Sequence, residues 1–281
     1  MRYMELPGGE SVPILGLGTW FMGESASQFE REVDAVRYAL ERGIRLIDTA
    51  EMYANGGAEE VVGAALSGFD AVPRDDVFIV SKVLPSNAHY DGVIDACERS
   101  LTRLGTTHID MYLLHWRGLA PFQETLDAFE TLRTSGKIRY FGVSNFDAAD
   151  MDEWYACKGG GALAANQILY NLSRRGVEWD VLPQCQKRGV PVMAYSPLEQ
   201  GRLAGEPVLS QIAARHGVTP LQVALAWVLA QDNIIAIPKS VSHAHIDQNI
   251  GGLVITLDAE DHAALDAAFP PPRGPSHLEM L

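Results

Sequence analysis

The sequence predicts an α/β fold, a single (α/β)8 TIM barrel in which residues 1–281 form one domain. Eight short apolar runs recur along the chain, and segments with helical spacing of apolar residues lie between them. Strands that alternate with helices pair in parallel, because each helix returns the chain to the same edge of the sheet. Eight such units close into a barrel, and barrels of this class often run to about 250 residues as one domain.

The apolar runs mark the predicted strands. They span residues 15–18, 46–47, 77–80, 111–114, 140–143, 163–165, 192–194 and 234–237. A doubly wound sheet is the alternative fold, and its glycine-rich phosphate turn should follow the first strand. Gly16 and Gly18 fit that turn, but Phe21 stands where its third glycine belongs. The barrel is therefore favoured.

Segments with helical spacing of apolar residues lie between the apolar runs. The clearest segments are 33–40, 94–104, 122–129 and 181–185. We also expect helices from about Ala58, over 243–249 and over 258–269. Outside the repeat, residues 3–13 predict a small hairpin that plugs the end of the barrel opposite its mouth. Residues 270–272 are three prolines, which lead into what we expect to be a loose tail.

Composition and charge exclude several classes of partner. Hydrophobic residues make up 47% and charged residues 21% of the chain, which is ordinary for a folded domain. Lysine and arginine number 22 against 36 acids, a formal net charge of −14, and no window forms a basic stripe. Nucleic acid and anionic membranes are therefore poor partners. An anionic ligand would need a local cationic pocket.

Cysteine spacing and hydropathy bear on location. Cys97, Cys157 and Cys185 lie far apart, without the close pairing of zinc ligands or of a disulfide framework, so we expect reduced thiols. The longest apolar run, 221–230, is too short to span a bilayer, and the N-terminus lacks an export-signal pattern. We expect a cytoplasmic protein. We also expect a monomer, because no heptad pattern is present.

Four chemically complementary residues follow different predicted strands. Asp48, Tyr53, Lys82 and His115 each lie at the end of an apolar run or in the loop after it. The carboxyl ends of all barrel strands surround one mouth, where such barrels carry chemistry. Any one of these residues alone would more often cap a helix or pack in a core. Four of them in one register favour a catalytic site.

Together these side chains suit protonation of an oxyanion. A neighbouring ammonium stabilises a phenolate, so we expect Lys82 to lower the pKa of Tyr53 by about 2 units. Asp48 would keep Lys82 charged, and His115 would donate a hydrogen bond to a carbonyl oxygen. Protonation is half of a carbonyl reduction. The other half is a hydride, which no side chain supplies, so a nicotinamide cofactor is implied.

The motifs around these residues resemble those of the aldo-keto reductases. The matching runs are 46–53, 81–83, 112–116, 142–146, 166–167, 194–198 and 237–240. They stand in the order typical of the family, and the resemblance covers residues 12 to about 270. It implies a barrel with extra C-terminal helices, hydride transfer to a carbonyl carbon, and Tyr53 as the general acid.

The resemblance also implies a cofactor-binding set. It comprises Gly18, Thr19, Trp20, Asp48, Ser144, Asn145, Gln167, Tyr195, Ser196, Pro197, Leu198, Gln200, Ile237, Pro238, Lys239, Ser240, His245, Gln248 and Asn249. Ser144, Asn145 and Gln167 would bind the nicotinamide carboxamide, and Tyr195 would stack on the ring. The substrate would contact Trp20, Tyr53, His115 and Trp116.

The residues expected to bind the adenosine end of the cofactor depart from the family pattern. Lys239 and Ser240, before a short helix, suit a 2′-phosphate, so NADPH is favoured, with NADH as a possible second cofactor. The family usually has an arginine where this chain has His245, and an acid where it has Gln248. A histidine carries only part of a charge near neutral pH, so we expect weaker binding of the 2′-phosphate than an arginine would give. His243 and His245 face apart on a helix, and no metal site is expected.

The resulting functional hypothesis is NADPH-dependent reduction of a small-molecule carbonyl to an alcohol. The pattern is similar to compact bacterial members that reduce 2-oxoaldehydes such as methylglyoxal and aromatic aldehydes. A short segment after His115 and a tail of twelve residues after Phe269 predict a shallow rim with little substrate selection. Two alternatives stay open: a cofactor-binding regulatory subunit with very slow turnover, and a lyase that forms a Schiff base on Lys82.

Overall fold

An antiparallel hairpin opens the chain and is followed by a parallel sheet. In this computed structural model, which describes residues 1–281, β1 (Tyr3–Glu5) pairs with β2 (Ser11–Pro13). The sheet contains β3 (Leu17–Gly18), β4 (Leu46–Asp48), β5 (Phe78–Val83), β6 (Ile109–Leu114), β7 (Ile138–Ser144), β8 (Asn166–Leu169), β9 (Val192–Tyr195) and β10 (Ile234–Ala236). Neighbours along the chain are neighbours in the sheet, and all pairs are parallel.

The first and last strands meet, which closes the sheet into a barrel. Parallel bridges join Leu15 to Ala236 and Gly18 to Lys239. Close approach of the backbones requires glycine at this seam, because a Cβ on Gly18 would lie 2.8 Å from the carbonyl oxygen of Ile237. The predicted (α/β)8 barrel is confirmed, and the doubly wound alternative is wrong.

Helices connect the strands and surround the barrel. They are α1 (Phe29–Glu41), α2 (Gly57–Leu66), α3 (Tyr90–Leu104), α4 (Phe122–Thr134), α5 (Ala148–Ala156), α6 (Val181–Arg188), α7 (Pro207–His216), α8 (Pro220–Leu229), α9 (His243–Gly251) and α10 (Ala259–Ala268). Every segment predicted to be helical lies in one of them, except that 258–269 extends one residue beyond α10 at each end. Asp147 caps α5, whereas Thr219 and Asp258 begin α8 and α10 with capping boxes. None of the helices is both long and apolar enough to cross a membrane.

Two hydrophobic cores stabilise this arrangement. The larger one lies between the sheet and the helices, and the smaller one fills the barrel interior. Leu6 and Val12 of the hairpin belong to the interior core, where they pack with Phe78, Met111 and Ile235 of the strands. The hairpin therefore plugs the amino end of the barrel as expected, and the open mouth is at the carboxyl ends.

One strand lies three residues later than predicted. The apolar run at 163–165 is buried, but the regular ladder of β8 begins at Asn166. Polar residues occupy a central strand here because their amide NH2 groups have acceptors in the protein: Asn166 donates to the Phe146 carbonyl, and Gln167 donates to Asp48. Gln167 is thus part of the strand and does not follow it.

Candidate active site

A cavity of about 660 Å³ opens at the carboxyl ends of the strands, a volume typical of small-molecule sites. Its wall includes all the predicted site residues except Thr19, Lys82 and Ser240. Thr19 is buried, and its hydroxyl donates to the backbone carbonyl of Asp48. The barrel therefore brings together residues that span most of the sequence.

Lys82 and Asp48 form a buried ion pair at the base of this cavity. Lys82 is 0% exposed and Asp48 2% exposed, and the ammonium lies 2.9 Å and 2.8 Å from the two carboxylate oxygens. A third hydrogen bond goes to the Thr49 carbonyl at 2.9 Å. Burial alone would lower the pKa of Lys82, but Asp48 and Tyr53 more than offset this and raise it. The ammonium is therefore charged at neutral pH.

Tyr53 lies on the cavity side of this pair. The Lys82 ammonium donates to its phenolic oxygen at 3.2 Å and lies 4.8 Å from its ring centroid. Burial raises the pKa of Tyr53, Lys82 lowers it, and the net direction is upward. The expectation of a pKa below the ordinary value is therefore wrong, because desolvation outweighs the ammonium. At neutral pH the group is a phenol with its proton in place, and Lys82 reduces the cost of losing that proton.

His115 follows β6 on the other side of Tyr53. Its ring packs edge-on to the Tyr53 ring, with centroids 5.8 Å apart and planes at 76°. Burial, and then the charge of Lys82, lower the pKa of His115 to about 2. The imidazole is neutral, its Nδ1 is buried, and that atom has no partner in the protein. A neutral imidazole keeps one N–H, which suits a hydrogen-bond donor to a carbonyl oxygen.

A cluster of polar side chains lies next to these groups, on β8 and at the carboxyl ends of β7 and β9. Gln167 donates to the Asp48 carboxylate at 2.7 Å, which connects it directly to the ion pair. Asn145 donates to the backbone carbonyl of His115 at 3.1 Å and accepts from the Tyr195 hydroxyl at 3.0 Å. These hydrogen bonds fix the amide planes on one wall of the cavity.

Another part of the cavity wall is formed by the segment before α9 and by that helix itself. Lys239, His245, Gln248 and Asn249 line it. Burial lowers the pKa of Lys239, although the charges of nearby acidic side chains act in the other direction. Ser240 is buried and forms a turn with the backbone of Ser242, so its hydroxyl is engaged within the protein. A cationic group is thus present in a chain that is acidic overall.

Several lining residues were not predicted from the sequence. They are Phe21, Met52, Gly201, Thr219, Leu221, Gln222, Met280 and Leu281. The tail expected to be loose brings its last two residues to the cavity, and Glu279 forms an ion pair of 2.6 Å with Arg174. The rim therefore includes residues of the tail as well as the loops that follow the strands. A tail of irregular structure carries no periodic signal in the sequence that could have predicted this contact.

Comparison with known proteins identifies the family. Residues 14–269 match the model of the aldo/keto reductase family. The chain belongs to that family. Methylglyoxal reductase YeaE of Escherichia coli is 49% identical, over 100% of this chain and 99% of the relative. Glyoxal reductase of Bacillus subtilis is 34% identical, over 99% of this chain and 97% of the relative.

Solved structures of other aldo/keto reductases share the architecture. One from Klebsiella pneumoniae, in complex with NADP and acetate, aligns with a TM-score of 0.96 at 47% identity, over 100% of this chain and 99% of that chain. A second from the same organism, in complex with NADPH, has a TM-score of 0.95 at 46% identity, over 100% of both chains. The predicted family and the enzyme class, an oxidoreductase, are confirmed.

Proposed function

We propose that this aldo/keto reductase uses NADPH to reduce the carbonyl group of 2-oxoaldehydes such as methylglyoxal, and of aromatic aldehydes. The observation that carries the proposal is the buried Asp48–Lys82 pair, with the Lys82 ammonium 3.2 Å from the Tyr53 hydroxyl at the base of an open cavity. A buried ammonium next to a phenol favours release of the phenolic proton to an acceptor in the cavity.

The residues present fit a nicotinamide dinucleotide. One cavity is lined by Asp48 and Tyr53 as well as by Lys239 and His245, so fixed amides and a cation border the same space. Ser144, Asn145 and Gln167 would bind the carboxamide, Tyr195 would pack against the nicotinamide ring, and Lys239 and His245 would hold the 2′-phosphate. When bound, NADPH supplies the hydride that no side chain can provide.

Residues of the protein itself then transfer the proton. Tyr53 donates its proton to the substrate oxygen, and the Lys82 ammonium stabilises the phenolate that remains. Asp48 holds Lys82 in its charged form and in one direction. His115, neutral because it is buried, donates a hydrogen bond that orients the carbonyl oxygen beside Tyr53.

The alternative of a Schiff base on Lys82 is disfavoured by the same geometry. A Schiff base needs a neutral amine that a substrate can reach. Lys82 is 0% exposed and does not line the cavity, and its raised pKa keeps it protonated. Lys82 therefore suits an electrostatic role and not a nucleophilic one.

The substrate class is supported by the rim and by the relatives. Apolar side chains, including Trp20, Phe21, Met52 and Trp116, line the entrance near Tyr53, and the Trp20 and Phe21 rings stack at 4.2 Å. Flat or small carbonyl compounds suit such walls. Relatives named methylglyoxal reductase and glyoxal reductase point to the same class. We further propose that the enzyme acts as a monomer. We also propose that it is located in the cytoplasm, in keeping with three unpaired cysteines.

The experiment is a comparison of substrates by the loss of NADPH absorbance. Purified protein is assayed with methylglyoxal, 4-nitrobenzaldehyde and an aldose, and NADPH binding is titrated in parallel. We expect turnover with the first two substrates, and a much lower kcat/KM with the aldose. Tight NADPH binding without turnover of any carbonyl would instead indicate the regulatory subunit and contradict the proposal.

A further inference from the structure

The turn that carries Tyr53 has an unfavourable backbone conformation. Ala54 and Asn55 have φ values of 51° and 52°, and Gly56 has a φ of 94°. Left-handed backbone is disfavoured for residues other than glycine, so the surroundings must hold such a turn in place. The stretch begins at the residue after the proposed proton donor. Whatever holds this turn also sets the position of the phenol.

An arginine from α3 packs against the outer side of the turn. A Cβ on Gly56 would lie 2.4 Å from Nε of Arg103 and 2.9 Å from its Cζ, so the guanidinium fills the space that a side chain would take. The backbones of α2 and α3 also approach closely, because a Cβ on Gly63 would lie 2.3 Å from the Arg103 carbonyl oxygen. The helix that follows Tyr53 is therefore fixed to α3 at Arg103.

The charge of Arg103 is balanced by a carboxylate in α2. Nε of Arg103 donates to Glu59 at 2.6 Å, and Glu59 is fully buried. The other carboxylate oxygen of Glu59 accepts from the Ser81 hydroxyl at 2.5 Å. Ser81 precedes Lys82 on β5, and because side chains alternate along a strand, Ser81 faces the helices while Lys82 faces the barrel. The pair thus contacts both the turn of Tyr53 and the strand of Lys82.

We propose that Glu59 and Arg103 form a positioning pair that holds the Tyr53 hydroxyl within reach of the Lys82 ammonium. The proposal rests on the proposed function of Tyr53 as proton donor. Neither Glu59 nor Arg103 lines the cavity, so the pair acts only through the turn and the strand. Buried ion pairs contribute little net stability compared with apolar packing, and their best-attested use is to specify one arrangement. Here the arrangement specified is the 3.2 Å contact between two functional groups.

The test is the double variant Arg103→Met with Glu59→Gln, which avoids leaving a buried charge without a partner. Its matched control is Arg74→Met with Asp110→Asn, which removes an ion pair of 2.9 Å with a buried carboxylate at the amino ends of the strands. Four quantities are measured for each: kcat per NADPH-binding site, the isotope effect on kcat with nicotinamide-deuterated NADPH, the Kd of NADPH, and Tm.

We expect the first double variant to lose about tenfold or more in kcat per binding site, with a larger isotope effect and an unchanged Kd for NADPH, because a small displacement of the proton donor slows the chemical step. The control should lower Tm and leave kcat and the isotope effect as in the wild type. Arg103→Lys provides a second test if the double variant does not fold. It keeps a positive charge beside Glu59 but has no planar group to pack on Gly56, so kcat should still fall.

Two results would overturn the proposal. One is a wild-type kcat and isotope effect in the folded Arg103 variants, and the other is an equal loss of kcat in the control. Tyr53→Phe is assayed alongside to separate the two levels of the argument. Normal Arg103 variants beside an inactive Tyr53→Phe would refute the positioning pair alone. An active Tyr53→Phe would refute the proposed function and this inference with it.

Discussion

The substitution Asp48→Asn tests the electrostatics of the site most fully. It removes one charge and keeps the shape of the side chain. In the wild type, the Asp48 carboxylate contacts the Lys82 ammonium at 2.8 Å and 2.9 Å and accepts from Gln167 at 2.7 Å. After the substitution, the oxygen partners of Lys82 are all neutral: the Thr49 carbonyl, the Tyr53 hydroxyl and the one amide oxygen of the new side chain. The ammonium is then buried without a counter-charge.

The magnitude follows from that burial. Both partners are almost completely buried, so solvent screens the pair little. Removing one member of a buried ion pair typically destabilises a protein by about 3–5 kcal/mol. The Lys82 ammonium can relieve part of this cost by losing its proton, because burial without Asp48 lowers its pKa below the ordinary value of about 10.4. We therefore expect a lower free energy of unfolding and a Lys82 that titrates nearer to neutrality.

Stability and activity of the variant should have opposite pH dependences. Between the lowered folded-state pKa of Lys82 and about pH 10.4, the unfolded chain binds more protons than the folded one, so the free energy of unfolding rises with pH. Over the same window the folded enzyme loses the ammonium next to Tyr53, so kcat falls as pH rises. In the wild type the raised pKa keeps Lys82 charged, and neither slope is expected from this group near neutral pH.

The assays are urea unfolding and steady-state kinetics with methylglyoxal over about pH 6 to 9, a range in which free carboxylates and lysines do not titrate. Asp110→Asn is the control, because Asp110 is equally buried and pairs with Arg74 at the other end of the barrel. The control should lose stability without losing kcat. If Asp48→Asn retains wild-type kcat throughout this range, the assignment of Asp48 and Lys82 is refuted.

Three further predictions concern the rest of the site and the assembly. Lys239→Ala should raise KM for NADPH much more than KM for NADH, and His245→Arg should lower KM for NADPH. Equal effects on both cofactors would contradict binding of the 2′-phosphate by these residues. Because the pKa of His115 is about 2 in the fold, kcat should show no inflection from this group near its ordinary value of about 6.5, and the free energy of unfolding should decline below that pH as the unfolded chain takes up the proton. His115→Gln should remove that part of the decline. Size-exclusion chromatography with light scattering should give the mass of one chain, about 31 kDa, and a dimer mass would contradict the proposed monomer.

Much of the fold could be predicted because apolar periodicity and chain order carry it. Parallel strands follow from the alternation of elements, and the number of strands follows from the number of apolar runs. The displacement of β8 shows where that reasoning ends. Asn166 and Gln167 are polar but buried, and their amide NH2 groups donate to groups far away in the sequence, the Phe146 carbonyl and the Asp48 carboxylate. Such partners are visible only in three dimensions. The prediction of one domain over residues 1–281 stays a prediction.

The candidate site was predictable where residues follow strands and not where distant elements meet. The barrel topology placed Asp48, Tyr53 and His115 at one mouth. The sign of the Tyr53 pKa shift could not be predicted, because it depends on the balance between burial and the charge of Lys82. The contribution of Met280 was also missed, since a tail of irregular structure gives no periodic signal.

The most direct test of the central claim is the turnover of Tyr53→Phe together with its affinity for NADPH. The substitution removes only the hydroxyl, and Lys82 keeps its contacts with Asp48 and Thr49, so the variant should fold. We expect kcat to fall by about 100-fold or more, the usual contribution of a positioned general acid, while the Kd for NADPH stays the same. A variant that retains more than about a tenth of the wild-type rate would contradict the account, because the proton would then come from elsewhere.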